Sequence, residues 1–281
     1  MIHHSCPNCC SLNTKLIIGI PELAMEFQGV NFLVPEHTGK KREWYYCHEC
    51  SIYFSIPRLT EKQIHYMYEH YRSEVYRQES PDEYFDRITR LPESESENLA
   101  KLKYILKYNP LLNPNSCLDI GCGAGVFINT LKSHWNSCSF YGVEPSKNFA
   151  TVAQERNKAN IFCGYFHDYI LLEATLHVKF DLITCCQVLE HVPDPVTFLK
   201  SILNKMHSSS ILYLEVPDSS DFSDLPKNHS RFTEPSHLWY FSYDYLQKTL
   251  RDCGLIIEHY CICETVRKRN NLQLILKRNS K

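Results

Sequence analysis

Glycine is scarce in this 281-residue chain, and it has no long uninterrupted apolar run. Only 9 residues are glycine, and three of them fall within five positions, at Gly121, Gly123 and Gly125. The longest apolar stretch, residues 16–34, contains a proline and two glutamates and falls short of the roughly 20 apolar residues that span a bilayer. The first ten residues, MIHHSCPNCC, lack the features of a signal peptide. We therefore expect a cytoplasmic protein with no membrane partner.

An excess of either charge is also missing. The chain has 30 Lys and Arg residues against 32 Asp and Glu residues, which gives a net charge of −2 at pH 7. This balance disfavours bulk binding to nucleic acid or to an anionic membrane, although it leaves a local basic patch open. Hydrophobic residues make up 43% of the chain and charged residues 22%, as in a folded globular protein.

Cysteine, in contrast, is abundant, with 14 residues. Since the chain has no export signal, we expect reduced thiols rather than disulfides. Two Cys-x-x-Cys pairs together offer four thiolates, the ligand set that a structural zinc ion prefers and one that leaves no coordination position for chemistry. The predicted metal ligands are Cys6, Cys9, Cys47 and Cys50.

The surroundings of the two pairs predict a zinc ribbon. The residues WYY before the second pair and IYF after it are typical of a short hairpin, and the 37 residues between the pairs leave room for an inserted hairpin at about 15–34. Further metal-binding side chains lie nearby, so one of the four predicted ligands could be a neighbouring residue instead. The alternative to a metal site is that these are ordinary reduced cysteines. The neighbouring donors are His3, His4, Cys10 and His48.

The chain divides into three predicted parts: a zinc-ribbon-like domain over 1–57, a helical linker or lid over 58–110, and an α/β domain over 111–281. Apolar positions at helical spacing predict one helix over 60–78 and another from about Pro92. Further breaks are expected at Pro81-Asp82 and Leu91-Pro92.

Strands and helices alternate from residue 116, which predicts a doubly wound α/β fold with a mostly parallel sheet of seven strands. No helix separates the last two strands, so they should form an antiparallel hairpin at the sheet edge. The predicted strands are 116–120, 140–143, 161–162, 180–186, 210–216, 255–263 and 271–277, and the predicted helices are 124–134, 146–157, 195–206 and 243–253.

The three clustered glycines follow the first strand of this domain and precede a helix. Such a turn lets a ligand approach the backbone beside a helix N-terminus. Glu144 ends the next strand, 19 residues after Gly125, where a carboxylate can accept both ribose hydroxyls of a nucleoside. Three features favour a cofactor other than NAD: Asp119 inside the strand, the spacing Gly-x-Gly-x-Gly, and the terminal hairpin.

Four segments resemble class I S-adenosylmethionine-dependent methyltransferases. LDIGCGAG is similar to the first motif of that family, GVEP to its acidic second motif, FDLITCCQVLEHVPDP to the segment after strand four, and ILYLEVPD to strand five. The resemblance covers residues 116–277 and implies S-adenosylmethionine (SAM) as cofactor. A nucleotide-binding fold without transferase activity is the alternative. The implied cofactor-binding residues are Asp119, Gly121 and Gly123 at the methionine end, Glu144 at the ribose, His167 or Asp168 at the adenine, and Gln187 beside the sulfonium.

Three further residues are candidate catalytic groups. The stretch QVLEH resembles that of quinone-biosynthesis O-methyltransferases, where Glu-x-x-Glu-His is associated with a divalent cation or with substrate deprotonation. Gln187 replaces the first Glu here, so metal dependence stays open, and Glu190 and His191 either contact the reacting group or support the loop. His237 lies where the family builds its substrate wall, and histidine suits proton abstraction near neutral pH. Its alternative role is to cap the loop.

The predicted ribbon allows three hypotheses about the partner. Some ribosomal-RNA methyltransferases carry a ribbon to grip RNA, but the basic cluster Lys40-Lys41-Arg42 is short. Sugar C-methyltransferases acting on nucleotide-linked deoxysugars resemble this chain better in layout, although the chain stops at 281 without their further domain. A non-catalytic adapter is the third hypothesis. We expect a small-molecule acceptor, a sugar or a glycan or secondary-metabolite precursor, with the acceptor atom and oligomeric state left open.

Overall fold

The computed structural model describes residues 4–20, 42–58, 63–64, 79–172, 177–234 and 236–279. The strands in these ranges form one sheet of four and one sheet of seven. The strands are β1 (Thr14–Ile20), β2 (Arg42–Cys47), β3 (Ile52–Ile56), β4 (Ser116–Ile120), β5 (Ser139–Glu144), β6 (Asn160–Cys163), β7 (Phe180–Cys186), β8 (Met206–Pro217), β9 (Trp239–Phe241), β10 (Leu255–Glu264) and β11 (Asn270–Arg278). The α-helices are α1 (Pro81–Thr89), α2 (Glu97–Tyr108), α3 (Val126–His134), α4 (Lys147–Asn157), α5 (Phe166–Leu171), α6 (Pro195–Asn204), α7 (Ser230–Thr233) and α8 (Tyr243–Asp252).

The larger sheet has the strand order β10-β11-β8-β7-β4-β5-β6. Strands β8, β7, β4, β5 and β6 run parallel, whereas β11 is antiparallel to both β8 and β10. The predicted seven-stranded, mostly parallel sheet with a C-terminal antiparallel hairpin is thus confirmed. The chain leaves β4 towards β5 and later returns to β7 on the other side, so the loop after β4 lies at the switch point where open α/β sheets bind ligands.

Apolar layers cover both faces of this sheet. On one face α2 and α3 pack against the buried side chains of Leu182 and Tyr213. On the other face α6 and α8 pack against Ile183, Leu212 and Leu214. Each fully buried side chain of this size stabilises the fold by about 1.5–3 kcal/mol, which makes the larger sheet a rigid support for its loops.

The smaller sheet has the order β1-β2-β3-β9 and joins three N-terminal strands to one strand that follows β8. Strand β9 follows β8 in sequence but pairs antiparallel with β3, with Phe54 opposite Trp239. Both of these residues are fully buried and belong to the same apolar cluster as Leu214 of the larger sheet. The two sheets therefore share a core, and the N-terminal sheet packs directly on the domain that carries the glycine loop.

Several helix boundaries differ from the predicted ones. Pro81 was expected to mark a break, but it begins α1, because Ser80 forms a capping box and proline is well tolerated in the first turn. The second predicted helix begins at Glu97 rather than near Pro92, since the Ser96 side chain caps it. Met206 belongs to β8 and not to the preceding helix.

Some predictions fall on residues outside the described ranges. These are most of the helix expected over 60–78, residues 21–34 of the hairpin expected at 15–34, and the residues His3, Lys40 and Lys41. Within the described ranges, no helix combines the length and apolar character needed to cross a membrane.

Candidate functional site

The glycine loop after β4 has a backbone that only glycine adopts readily. Gly121, Gly123 and Gly125 have φ angles of 72°, 55° and 76°. A Cβ atom on Gly121 would lie 2.4 Å from Cγ2 of Val188, so the loop after β7 packs directly against the glycine loop. This close approach brings the segment that follows Val188 next to the predicted cofactor site.

Glu144 ends β5 and faces the same loop. Its carboxylate is buried and accepts two main-chain hydrogen bonds of 2.9 Å, from the N–H of Gly123 at Oε2 and from the N–H of Ser146 at Oε1. These bonds fix the carboxylate at the carboxyl edge of the sheet. The geometry suits the predicted ribose contact, which stays a prediction.

Asp119 lies inside β4, immediately before the glycines. Its side chain is buried and accepts a 2.7 Å hydrogen bond from Oγ1 of Thr184 on β7, a partner that the sequence analysis did not identify. Burial raises the pKa of Asp119 to about 7, although the Thr184 hydroxyl and the Lys101 ammonium oppose the shift. A cationic group bound nearby would favour the ionised carboxylate, as the ammonium of a methionine moiety would.

A buried ion pair that no sequence pattern predicted lies beside Gln187. Nζ of Lys101 lies 3.3 Å from Oε1 of Glu215, and both side chains are largely buried. Burial opposes ionisation of Glu215, but the Lys101 charge and several hydrogen bonds hold the pKa of Glu215 below its ordinary value. The hydrogen-bond donors to its carboxylate are Tyr213 at 2.7 Å, Gln273 at 3.0 Å, Asn271 at 3.1 Å and Gln187 at 3.3 Å.

Gln187 is the residue that replaces the first Glu of the quinone-methyltransferase pattern. It has an unusual φ of 56°, and its main-chain N–H donates to the carbonyl of Glu215 at 2.8 Å. Its side chain also points to Glu215, so it is held by the buried ion pair. A positive φ at a residue of this kind is found at functional sites more often than elsewhere.

The three candidate catalytic residues come together. One donor atom from each of Glu190, His191 and His237 lies within 4.8 Å of the other two. Glu190 and His191 lie on a 3₁₀ turn, Leu189–His191, directly after the residue that contacts the glycine loop. Two imidazoles and a carboxylate can also ligate a divalent transition metal. The fold therefore brings His191 close to His237, which lies 46 positions later in the chain.

Hydrogen bonds orient both histidine rings. Nδ1 of His191 donates to the carbonyl of Ser236 at 2.9 Å, because a carbonyl can only accept. The Tyr240 hydroxyl donates to the carbonyl of Arg231 at 3.1 Å, so at the 2.8 Å contact with His237 the ring nitrogen Nδ1 is the donor. The neutral His237 ring thus carries its lone pair at Nε2.

The electrostatics of the cluster favour neutral groups. Burial, helped by His191 and Arg42, holds the pKa of His237 well below its ordinary value, so its imidazole is neutral at pH 7. Glu190 is fully buried, and in the described part of the chain neither of its carboxyl oxygens has a hydrogen-bond partner. Burial raises the pKa of Glu190 to about 8. A neutral imidazole with a lone pair can accept a proton from a bound ligand. Its lowered pKa makes it a weaker base than a free imidazole.

The four predicted cysteines also come together. Sγ of Cys6 lies 3.7 Å from Sγ of Cys50, Sγ of Cys9 lies 3.6 Å from Sγ of Cys47, and all four sulfurs are within 4.8 Å of one another. Tetrahedral zinc with Zn–S bonds of about 2.3 Å separates its sulfurs by about 3.8 Å. The cluster therefore has the dimensions that a zinc ion requires.

The two cysteine pairs form matching turns. The N–H of Cys10 donates to the carbonyl of Cys6 and the N–H of Ser51 to the carbonyl of Cys47, both at 2.8 Å. Cys10 and Ser51 have φ angles of 60° and 56°, so each turn ends in the same left-handed conformation. Of the extra donors, His4 and His48 pack on tyrosine rings and Cys10 is exposed.

Asp168 does not join the groups described so far. It lies with His167 in the first turn of α5, and both side chains are exposed. This helix follows β6 at the carboxyl edge of the sheet, which is where the adenine contact is predicted. The predicted role of Asp168 is not tested by this arrangement.

Comparison with known proteins bears on the fold and the family. The family model described as a methyltransferase domain matches residues 69–260, which is more than half of the chain. Ubiquinone biosynthesis O-methyltransferase from Coxiella burnetii is 32% identical over 160 residues, a match that covers 50% of this chain and 66% of that protein, just under two thirds of its length. The protein of the same name from Aliivibrio fischeri is 26% identical over 163 residues and is covered to 67%.

Two solved structures illustrate the fold. The plantazolicin methyltransferase in complex with S-adenosylhomocysteine (SAH) superposes with a TM-score of 0.55 at 13% identity, over 76% of this chain and 94% of that one. Magnesium protoporphyrin IX methyltransferase from Synechocystis PCC 6803 with bound SAH superposes with a TM-score of 0.51 at 18% identity, over 70% and 87%. From the family match together with this fold, we conclude that the chain belongs to the methyltransferase domain family.

Proposed function

We propose that the protein transfers a methyl group from SAM to a small-molecule acceptor. The observation that carries this proposal is the position of the cluster of Glu190, His191 and His237, which begins two residues after Val188, the residue packed on Gly121. We infer from this contact that the cluster, with its proton acceptor, lies near the predicted methionine end of the cofactor. The relative from Coxiella burnetii is named for ubiquinone biosynthesis, and one structure of similar fold is named for plantazolicin. Both names support a small-molecule acceptor.

The proposed mechanism is an in-line attack of the acceptor on the methyl carbon. SAM supplies a methyl group activated by the sulfonium. The protein binds the cofactor through the glycine loop and Glu144, and it orients the acceptor and takes its proton. Nε2 of His237 is the proposed base. Nδ1 carries the ring proton and donates it to the Tyr240 hydroxyl, so only Nε2 has a lone pair. The bond between the sulfur and the methyl carbon would break as the acceptor bonds to that carbon. The products would be the methylated acceptor, S-adenosylhomocysteine and a proton held by His237.

Within the small molecules, we propose a sugar, or a glycan or secondary-metabolite precursor, on the basis of the paired Cys-x-x-Cys layout. An RNA acceptor is less consistent with the basic cluster at 40–42. Arg42 is 3% exposed, and its guanidinium binds main-chain carbonyls of the protein, so it is not accessible to phosphate groups. An adapter without activity would not require the orientation of His237.

We further propose that the four cysteines bind a structural zinc ion and that the protein works in the cytoplasm. The sulfur separations match those of a zinc tetrahedron, as described above. None of the 14 cysteines, all of which lie in the described ranges, forms a disulfide. Free thiols of this number suit a reducing compartment.

Replacing His237 with Gln should lower methyl transfer by about 10²–10⁴-fold, the contribution expected of a general base. The measurement uses labelled SAM and a small-molecule extract that wild-type protein methylates. His134→Gln is the matched control, because His134 is exposed on α3 and distant in sequence from the cluster. SAH affinity should be retained in both variants. Full turnover in a folded His237→Gln variant would exclude His237 as the base.

A further inference from the structure

The segment that carries His237 is held by the N-terminal sheet. Nη1 of Arg42 donates to the carbonyl of Glu234 at 2.5 Å, and Nη2 donates to the carbonyl of His237. Ser55 of β3 adds a 3.3 Å bond from its hydroxyl to the same His237 carbonyl, and its N–H donates to the carbonyl of Leu238 at 3.2 Å. Residues of β2 and β3 thus fix three carbonyls of this segment.

The same segment is held from the opposite side by the turn after β7. The N–H of Leu238 donates to the carbonyl of Glu190 at 2.8 Å, and Nδ1 of His191 donates to the carbonyl of Ser236 at 2.9 Å. The backbone at 236–238 therefore bridges the smaller sheet and the methyltransferase domain. A shift of the smaller sheet would move His237 relative to Glu190 and His191.

Arg42 is unusual because a buried cation is used to bind neutral carbonyls. Its side chain is 3% exposed, and although burial lowers its pKa to about 10, it remains charged at neutral pH. Its guanidinium lies 5.0 Å from the centre of the Trp44 ring, which gives a cation–π contact. Burying a charge is costly unless it is hydrogen-bonded. Nη1 and Nη2 of Arg42 have partners, whereas Nε is buried without one among the described residues. A planar fork that binds two carbonyls sets their relative position, which an ammonium group would not do.

A second connection links this segment to the cysteine cluster. Strand β9 begins two residues after His237 and pairs with β3, and the Ser242 hydroxyl that follows β9 donates to the carbonyl of Ser51 at 2.6 Å. Ser51 comes directly after Cys50. The four-cysteine site, β3 and the His237 segment are thus joined by an unbroken series of hydrogen bonds.

We propose that Arg42 is a positioning residue for His237. By fixing the carbonyls of Glu234 and His237, it sets the imidazole so that Nδ1 donates to the Tyr240 hydroxyl and Nε2 keeps the lone pair. The N-terminal sheet is then part of the active site rather than a separate binding module. This inference rests on the proposed function insofar as His237 acts as the base.

The test is the tautomer of His237, measured by long-range ¹H–¹⁵N NMR on protein labelled at its histidines. The His237 signals are assigned by their disappearance in His237→Gln. Wild-type protein should show one tautomer with the proton on Nδ1. Arg42→Met should show a mixture of both tautomers, and Arg42→Lys, which keeps the charge but not the fork, should show an intermediate mixture. Thermal unfolding identifies which variants are folded. If Arg42→Met is not folded, the wild type is compared with Arg42→Lys instead.

The control is Arg90→Met, since Arg90 directly follows α1 and its side chain is 77% exposed. It should leave the His237 signals unchanged. Methyl transfer should fall by roughly 10²-fold in Arg42→Met, as expected for a misplaced catalytic group, while SAH affinity is retained. A single Nδ1–H tautomer in a folded Arg42 variant would overturn the positioning role. A mixed tautomer with unchanged methyl transfer would instead contradict the role of His237 as base.

Discussion

Glu144→Ala should lower the affinity for SAH by at least about 100-fold. A carboxylate that accepts two ribose hydroxyls makes two charge-assisted hydrogen bonds, each worth about 1.5–3 kcal/mol, and each 1.4 kcal/mol is about tenfold in affinity. The carboxylate is oriented in advance by its bonds to the N–H groups of Gly123 and Ser146. Isothermal titration with SAH measures the change.

Two further variants make this result specific. Glu144→Gln keeps the shape of the side chain but loses its charge, so its affinity should lie between those of the wild type and Glu144→Ala. Glu155→Ala removes an exposed carboxylate from α4 and should bind SAH as the wild type does. If folded Glu144→Ala binds SAH with wild-type affinity, the ribose assignment is wrong.

Purified wild-type protein should contain one equivalent of zinc, and Cys47→Ser should lose it together with the folded smaller sheet. Structural zinc contributes about 10–16 kcal/mol in zinc-finger peptides, which is comparable with the whole stability of a domain, about 5–15 kcal/mol. Because β9 pairs with β3, loss of this sheet would also release the segment that holds His237. Metal analysis and limited proteolysis of the N-terminal region measure the two effects.

The control for this experiment is Cys163→Ser. Cys163 is exposed at the end of β6 and its sulfur does not belong to the four-cysteine cluster. This variant should keep its zinc and its resistance to protease. A zinc content well below one equivalent in carefully prepared wild-type protein would refute the zinc site.

The larger sheet could be predicted from the sequence because its strands are short apolar runs bounded by turns. β4 and β7 begin and end where they were expected, since parallel strands buried on both faces are mostly apolar. Strand β9 was missed for the opposite reason. It has only three residues, and its partner β3 lies some 180 positions earlier, so no local pattern reveals the pairing.

The candidate site could be predicted in part. Glu190, His191 and His237 were each identified as candidates, but their proximity depends on the loop at 236–238, which no spacing rule predicts. Glu215 had a usable signal, because it is the one carboxylate within the apolar run ILYLEVP. Lys101 had none, since a lysine on a helix is ordinarily solvated and only the tertiary fold brings it to Glu215.

Arg42 shows how tertiary structure changes the meaning of a residue. In the sequence it belongs to a short basic cluster with Lys40 and Lys41, the residues that the RNA hypothesis would use to bind phosphates. The structure buries Arg42 and directs its guanidinium at two carbonyls of a loop nearly 200 positions away. Burial of a charge depends on which groups are assembled around it, and the local sequence does not contain that information.

The most direct test of the central claim is the transfer of labelled methyl from SAM into a fractionated lysate, with and without ribonuclease treatment. The proposed function predicts label in a low-mass or glycan fraction that resists ribonuclease, and no such label with His237→Gln. Label that disappears on ribonuclease treatment would contradict the small-molecule acceptor. Label absent from every fraction, with SAH binding intact, would contradict the transferase activity itself.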